Sequence, residues 1–222
     1  GFKLCIGKRV EFLAICKAML DTGITPDFIT VDGGEGGTGA APIELTNSVG
    51  TPLRDGLLFV HNALIGIGLR DSIRIIAAGK AISAFHMLRL MALGADTINA
   101  ARAMMFALGC IQSRLCNQDT CPTGIATQNP ARFKALDVEY KAARVANYHE
   151  AMIENLMELV AAAGLEHLEQ LRPRHINRRV NGTEIRNYEQ LYPRVTNGCL
   201  LTDAEIPETW LDAWNHASPV AL

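Results

Sequence analysis

The stretch Ile73-Arg74-Ile75-Ile76-Ala77-Ala78-Gly79-Lys80, continued through Ala81 to Leu93, Gly94 and the run Thr97-Ile98-Asn99-Ala100, decides the fold. Residues 73–77 are a short apolar run of strand length, and residues 81–93 read as its helix. Gly94 stands where a helix ends in a left-handed cap. Residues 97–100 are a strand again. The same alternation runs backward along the chain. Residues 2–6 and 28–31 are short apolar runs, residues 10–20 show helical spacing through Val10, Leu13, Ala14, Cys16 and Leu20, and residues 57–69 are helix-like. Repeated strand–helix units with strands apolar throughout predict an α/β fold with a parallel sheet buried on both faces. Four such units are half of an eight-fold (β/α)8 barrel of TIM type.

Composition narrows the class. A chain of 222 residues with 49% hydrophobic and 20% charged residues is expected to be globular, with a substantial core. A formal net charge of −2 gives no electrostatic case for nucleic acid or for an anionic membrane surface. The longest apolar runs, such as residues 57–68, are short and interrupted by His61 and Asn62, so no membrane span is expected. No secretory signal is read at the start, and six cysteines then favour a reducing compartment, with the cytoplasm as the expected location.

Beyond residue 130 the character changes. Residues 138–163 carry a long helical stripe through Val145, Tyr148, Met152, Ile153, Leu156, Leu159 and Val160, ended by Gly164. Residues 173–193 are polar and punctuated, with Arg172, Arg174, Arg178 and Arg179 in or beside them, and are expected as an irregular tail around the body. Residues 196–222 are expected as a loose arm in which Trp210 and Trp214, four apart, could pin a short helix. The expected division is a barrel portion over 1–130, a helical and irregular extension over 131–195, and an arm over 196–222.

Three motifs carry chemistry. The loop from Asp32 to Pro42 holds five glycines between residues 33 and 39, at the end of a parallel strand where a barrel places its functional face. Ligand contact is the favoured reading, and a tight turn the plain one. Asp32 and Glu35 could act as acid–base or hydrogen-bonding groups, or cap the loop. At the next two strand ends, Gly79-Lys80 and Ala101-Arg102 offer small residues whose backbone N–H groups could reach a phosphate, with Lys80 and Arg102 adding positive charge. Close helix–strand packing would also explain the small residues. Lys3, inside the first strand, is expected to project into the site and meet an anion, the alternative being an amine that snorkels to water. Cys110, Cys116 and Cys121, spaced C-x5-C-x4-C, suit an iron–sulfur cluster, because thiolates are soft ligands. Zinc is the competitor, but no fourth ligand stands at the usual spacing after Cys121. Cys5, Cys16 and Cys199 read as core or incidental thiols, and His61 and His86 as helix-packing residues.

Taken together, Lys3-Leu4, Gly36-Gly37-Thr38-Gly39-Ala40-Ala41-Pro42, and Gly109-Cys110 through Cys121-Pro122-Thr123-Gly124-Ile125-Ala126-Thr127-Gln128 resemble the flavin domain of glutamate synthase. The resemblance is closer to stand-alone glutamate synthase domain proteins, and covers roughly residues 1–130. It implies the last four β/α units of a (β/α)8 barrel that binds FMN beside a [3Fe–4S] cluster and forms L-glutamate from the imine of 2-oxoglutarate. Carried over by residue, it implies Lys3 at the flavin or 2-oxoglutarate and Gly36, Gly37 and Thr38 on the substrate side. It further implies Gly79, Ala101 and Arg102 at the FMN phosphate, and Cys110, Cys116 and Cys121 on the cluster, with Lys80 a cofactor-binding candidate because the chain departs from the family there. With Lys3, Glu35 is the candidate catalytic residue. The chain departs from the large enzymes in carrying Ala78-Gly79-Lys80 where they have an acidic residue and two glycines.

The implied partners are an electron-donor protein or subunit, ammonia from solution or from a glutaminase, and the missing barrel half or a second copy. A non-catalytic half-barrel module is the alternative from another class. A different FMN barrel, such as a nucleotide dehydrogenase, is weakened because the loop from Asp32 to Pro42 contains no nucleophilic cysteine.

Overall fold

Four parallel strands lie side by side in the order in which the chain makes them, in a computed structural model that describes residues 1–35 and 43–220. The chain runs β1 (Phe2–Cys5), α1 (Arg9–Thr22), β2 (Phe28–Asp32), α2 (Ile43–Ser48), α3 (Leu53–Gly66), β3 (Arg74–Ala78), α4 (Ala84–Ala92), β4 (Thr97–Asn99) and α5 (Ala101–Leu108). In register, Lys3 stands opposite Thr30, Asp32 opposite Ala78, and Ala78 opposite Asn99. When each crossover moves one strand further in the same direction with the usual right hand, every connecting helix falls on one face. That face is dry: Ile29, Val31, Ile75 and Ala77 are fully buried beneath Leu13, Leu57, Val60 and Leu64.

The other face differs from expectation. Lys3, Cys5, Thr97 and Asn99 are exposed on it, Asp32 and Ile76 are half-buried, and only Thr30 and Ala78, on the two central strands, are buried. The sheet is therefore covered on one side, not both, among the described residues. The one-way order of the crossovers is the physical reason, since it leaves no helix to cover the second side. A four-stranded parallel sheet of sequential order is compatible with part of a TIM-barrel-like fold.

Local sequence accounts for the ends of the elements. Gly23 closes α1 at φ 68°, its N–H donating to the Met19 carbonyl at 3.0 Å. The Ser83 hydroxyl caps α4 by accepting from the His86 N–H at 3.3 Å. Helix α5, which the sequence reading passed over, is built mostly of Ala, Met, Leu and Arg, good helix formers, and ends at Gly109 with φ 105°.

After the short α6 (Pro130–Phe133), the 25-residue α7 (Val138–Ala162) starts at Asp137, whose carboxylate accepts from the Tyr140 N–H at 3.0 Å. It buries Met152, Leu156 and Val160 of its predicted stripe and packs on α4 and α5, whereas Ile153 is exposed. The expected irregular tail contains more order than its polarity suggests: β5 (Asn177–Arg179) and β6 (Ile185–Asn187) pair antiparallel, and α8 (Tyr188–Leu191) follows. The turn between the two strands is held by the Asn181 side chain, which accepts from the N–H groups of Thr183 and Glu184, each at 3.0 Å.

The arm is not loose. The Gly198 and Leu200 N–H groups donate to the carbonyls of Ile65 and Gly66 at 3.0 and 2.9 Å. On α9 (Glu208–His216), Trp210 and Trp214 are both buried, Trp210 with its ring centroid 4.9 Å from that of Phe59. No helix among the described residues is long and apolar enough to cross a membrane.

Candidate active site at the strand ends and the cysteine loop

The chain leaving β2 folds back on itself. Asp32 accepts from the Gly33 N–H at 3.0 Å through one carboxylate oxygen and pairs with Lys3 Nζ at 2.6 Å through the other. Lys3 lies on the edge strand with 63% of its side chain exposed. It therefore meets an anion on the uncovered sheet face, and that anion is Asp32. The Gly33 N–H also donates to the Ala78 carbonyl at 3.1 Å, stitching the ends of β2 and β3 together.

Glu35 takes the capping part of its expected range. Its Oε1 accepts from the Leu53 N–H, the first of α3, at 2.6 Å, whereas Oε2 is buried without a hydrogen-bond partner among the described residues. Gly33 and Gly79 pack around this carboxylate. A Cβ at Gly33 would lie 2.6 Å from Leu53 Cβ, and one at Gly79 would lie 3.2 Å from Leu53 Cδ2 on a backbone with φ 151°. The chain's own packing thus demands glycine at both positions. Gly36, Gly37 and Thr38 lie outside the described residues.

The ends of β3 and β4 are neighbours, so Gly79-Lys80 and Ala101-Arg102 emerge side by side. Lys80 is exposed and holds φ 44°, and Arg102 is half-buried in the first turn of α5. The residue preceding α5 is Ala100, which brings no side-chain acceptor, whereas α4 has Ser83 in that place. Among the described residues no side chain at the N-cap takes the leading N–H groups of α5, and the helix dipole adds partial positive charge there. The donor set fits a phosphate.

Beyond α5 comes the cysteine loop. Cys110 and Cys116 are half-buried and Cys121 is buried. Gln112, Arg114 and Asp119 all hold positive φ, between 56° and 58°, which is uncommon for residues other than glycine and marks a constrained path. The loop is tied shut by Asp119, whose carboxylate accepts from the Gln128 N–H at 2.6 Å and the Thr127 hydroxyl at 2.9 Å. Those bonds hold the Asp119 carboxyl below the usual range.

Cys121 lies 3.3 Å from the Thr123 hydroxyl. Burial would raise its thiol. The Thr123 hydroxyl and the backbone N–H groups of Ala126, Thr123 and Ile125 outweigh burial and bring it to about 7. A thiolate is therefore accessible at neutral pH, as a metal ligand requires. Among the described residues no group of three or more Cys, His, Asp or Glu is gathered where one metal ion could sit. The three thiols are soft donors of the kind an iron–sulfur cluster takes.

Sequence reading missed the Asp119 clasp here, whereas Cys5 was read as a core or incidental thiol and His61, at the other end of the strands, as the helix-packing residue it is. Cys5 is exposed on the same side as Lys3, where partial burial, then the charges of Asp32 and Glu35, push its thiol up. The Asp119 clasp had no signal beyond a lone acid in a loop. His61 is buried on α3, where burial, then the charges of Arg194 and Arg70, bring it down to about 3.

The family model described as "Conserved region in glutamate synthase" matches residues 2–166. Glutamate synthase large subunit-like protein YerD of Bacillus subtilis is 41% identical over 191 residues, covering 86% of this chain and 36% of the relative. Archaeal glutamate synthase (NADPH) of Methanocaldococcus jannaschii is 41% identical over 146 residues, 66% of this chain and 29% of the relative. Glutamate synthase (NADPH) large chain of Bacillus subtilis is 34% identical over 171 residues, 73% of this chain and 11% of the relative. The chain thus spans about a third or less of the length of these curated relatives. It belongs to the glutamate synthase family.

Proposed function

We propose that this chain forms part of a glutamate synthase-type oxidoreductase, binding FMN at the ends of β3 and β4 and a [3Fe–4S] cluster on Cys110, Cys116 and Cys121. One observation carries the reading. Helix α5 begins, with no side-chain cap from Ala100, at the proposed phosphate site and ends at the cysteine loop, so a single element of about 12 Å joins the two sites. In this reading Gly79, Ala101 and the α5 N-terminus bind phosphate, and Lys80 and Arg102 supply positive charge. The thiolate of Cys121, held by backbone N–H groups, is one cluster ligand. When bound, the flavin supplies hydride to the imine of 2-oxoglutarate, and the cluster passes electrons singly.

Lys3 and Glu35 are the proposed catalytic residues. Lys3 Nζ, oriented by Asp32, presents a cation on the uncovered sheet face to a carboxylate or reduced flavin. Glu35 has only Oε2 left to accept or hold a proton, because Oε1 is committed to α3. Gly36, Gly37 and Thr38 are proposed for the substrate side on the resemblance alone. Further strands, from the same polypeptide or another copy, would pair along the edges at β1 and β4 and complete a barrel with the uncovered face turned inward. An electron donor and a source of ammonia complete the proposed reaction, in the reducing cytoplasm. The names of two of the relatives above specify NADPH.

The test is a titration of the anaerobically purified chain with FMN, followed by flavin fluorescence. Saturable binding weakened by Arg102→Gln supports the reading. Absence of binding, together with no glutamate formed from 2-oxoglutarate and ammonium under a chemical reductant, favours the non-catalytic module.

A further inference from the structure

At the opposite end of the strands, the start of β3, the end of α4 and the segment over residues 168–197 enclose a cleft of about 710 Å3. That volume is of the size small-molecule sites occupy. Four arginines line it, Arg70, Arg74, Arg172 and Arg194.

Arg70 is the fixed wall. It donates to His61 Nδ1 at 2.8 Å, to the Ile73 and Gly94 carbonyls at 2.9 and 2.8 Å, and to Asp96 at 2.8 Å. Asp96 in turn is consumed by Arg70, by the Ile75 N–H at 2.7 Å and by Arg74 at 3.5 Å. Arg172 spends only its Nη1 group, on the Glu169 and Leu171 carbonyls. Arg194 makes no hydrogen bond or ion pair with any described residue, and the carbonyl of Pro193 beside it is pinned by the Asn62 amide at 3.2 Å. Because Nδ1 of His61 accepts from Arg70, its proton sits on Nε2. That N–H is buried without a partner in a residue only 4% exposed that lines the cleft. Asp71 and Glu169 also line the cleft, but both are exposed to solvent, which screens them.

The result is a cavity with many N–H donors to spare and its best-placed carboxylate already engaged. Burial, then the charges of Arg172 and Arg70, lower the Arg194 pKa against the opposing charge of Glu189.

We propose that this cleft is a binding site for a small polyanion bearing phosphate or carboxylate groups, gripped by the forks of Arg172 and Arg194. It lies at the N-terminal ends of the strands, away from the proposed flavin site, and depends on no part of that reading. A ligand there would bridge the barrel strands and the C-terminal segment, and so would stabilise their docking.

The test is calorimetric titration of the intact chain with inorganic phosphate and, separately, with citrate, at ionic strength held constant with chloride. Saturable binding with a Kd at or below about 1 mM is expected for at least one probe. Tighter phosphate binding marks a phosphorylated ligand, and tighter citrate binding a carboxylate one. Arg172→Gln and Arg194→Gln, both exposed positions, should each weaken binding roughly tenfold or more without lowering the melting temperature of the free protein. No saturation up to about 10 mM overturns the proposal. So does binding that both variants retain, which would belong to the other end of the strands.

Discussion

Acidification should weaken this fold through one buried ring. His61 is 4% exposed, accepts a hydrogen bond from Arg70 and is packed against Gly94. Protonation would break the Arg70 bond and set an imidazolium beside Arg194 and Arg70, so the folded chain keeps the ring neutral, its pKa brought down to about 3 from 6.5. The unfolded chain binds the proton from pH 6.5 downward. Between those values the unfolded state holds more protons, so stability is intact above pH 6.5 and is lost as pH falls towards 3. The loss from this group works out at about 2 kcal/mol by pH 5. At that pH the figure scarcely depends on how far below 5 the folded value lies. Urea unfolding of the wild type and of His61→Gln between pH 7.5 and pH 5 isolates it, because carboxylates titrate alike in both proteins. The variant should begin less stable and lose about 2 kcal/mol less over the range. Parallel pH profiles would refute the buried neutral ring.

Gly94→Ala tests the same corner by sterics. The backbone there holds φ 121°, and a Cβ would fall 2.5 Å from His61 Cγ, so a loss of about 2–4 kcal/mol is expected in thermal melts. Trp210→Ala removes the ring packed on Phe59 and should cost about 3–5 kcal/mol, with hydrogen exchange quickening over α9 before the strands. Uniform exchange across the chain would show that the arm does not dock as described.

The strand–helix alternation was legible because apolar runs and helical periods survive in sequence: β1 to β4 and helices α1, α3, α4 and α7 stand within a few residues of where the pattern places them. The bare sheet face was not legible from apolar runs. Its markers are Lys3, Asp32 and Asn99, single polar residues at alternate positions in strands too short to show a period. Helix α5 was lost between a strand and a cysteine motif, although Gly109 marks its end. Asn181-Gly182, a hairpin signal, went unread amid the surrounding arginines. The cysteines announced themselves by spacing. The Asp119 clasp and the arginine cleft did not, because their parts meet only through tertiary packing, in the cleft from residues as far apart as His61 and Arg194.

The most direct test of the redox reading is iron and acid-labile sulfide analysis, with the visible spectrum, on the chain purified without oxygen. About three irons per chain with broad visible absorbance are expected, both lost in Cys116→Ser while the protein stays folded. Iron content unchanged in Cys116→Ser, or no iron in the wild type under these conditions, would contradict the cluster assignment.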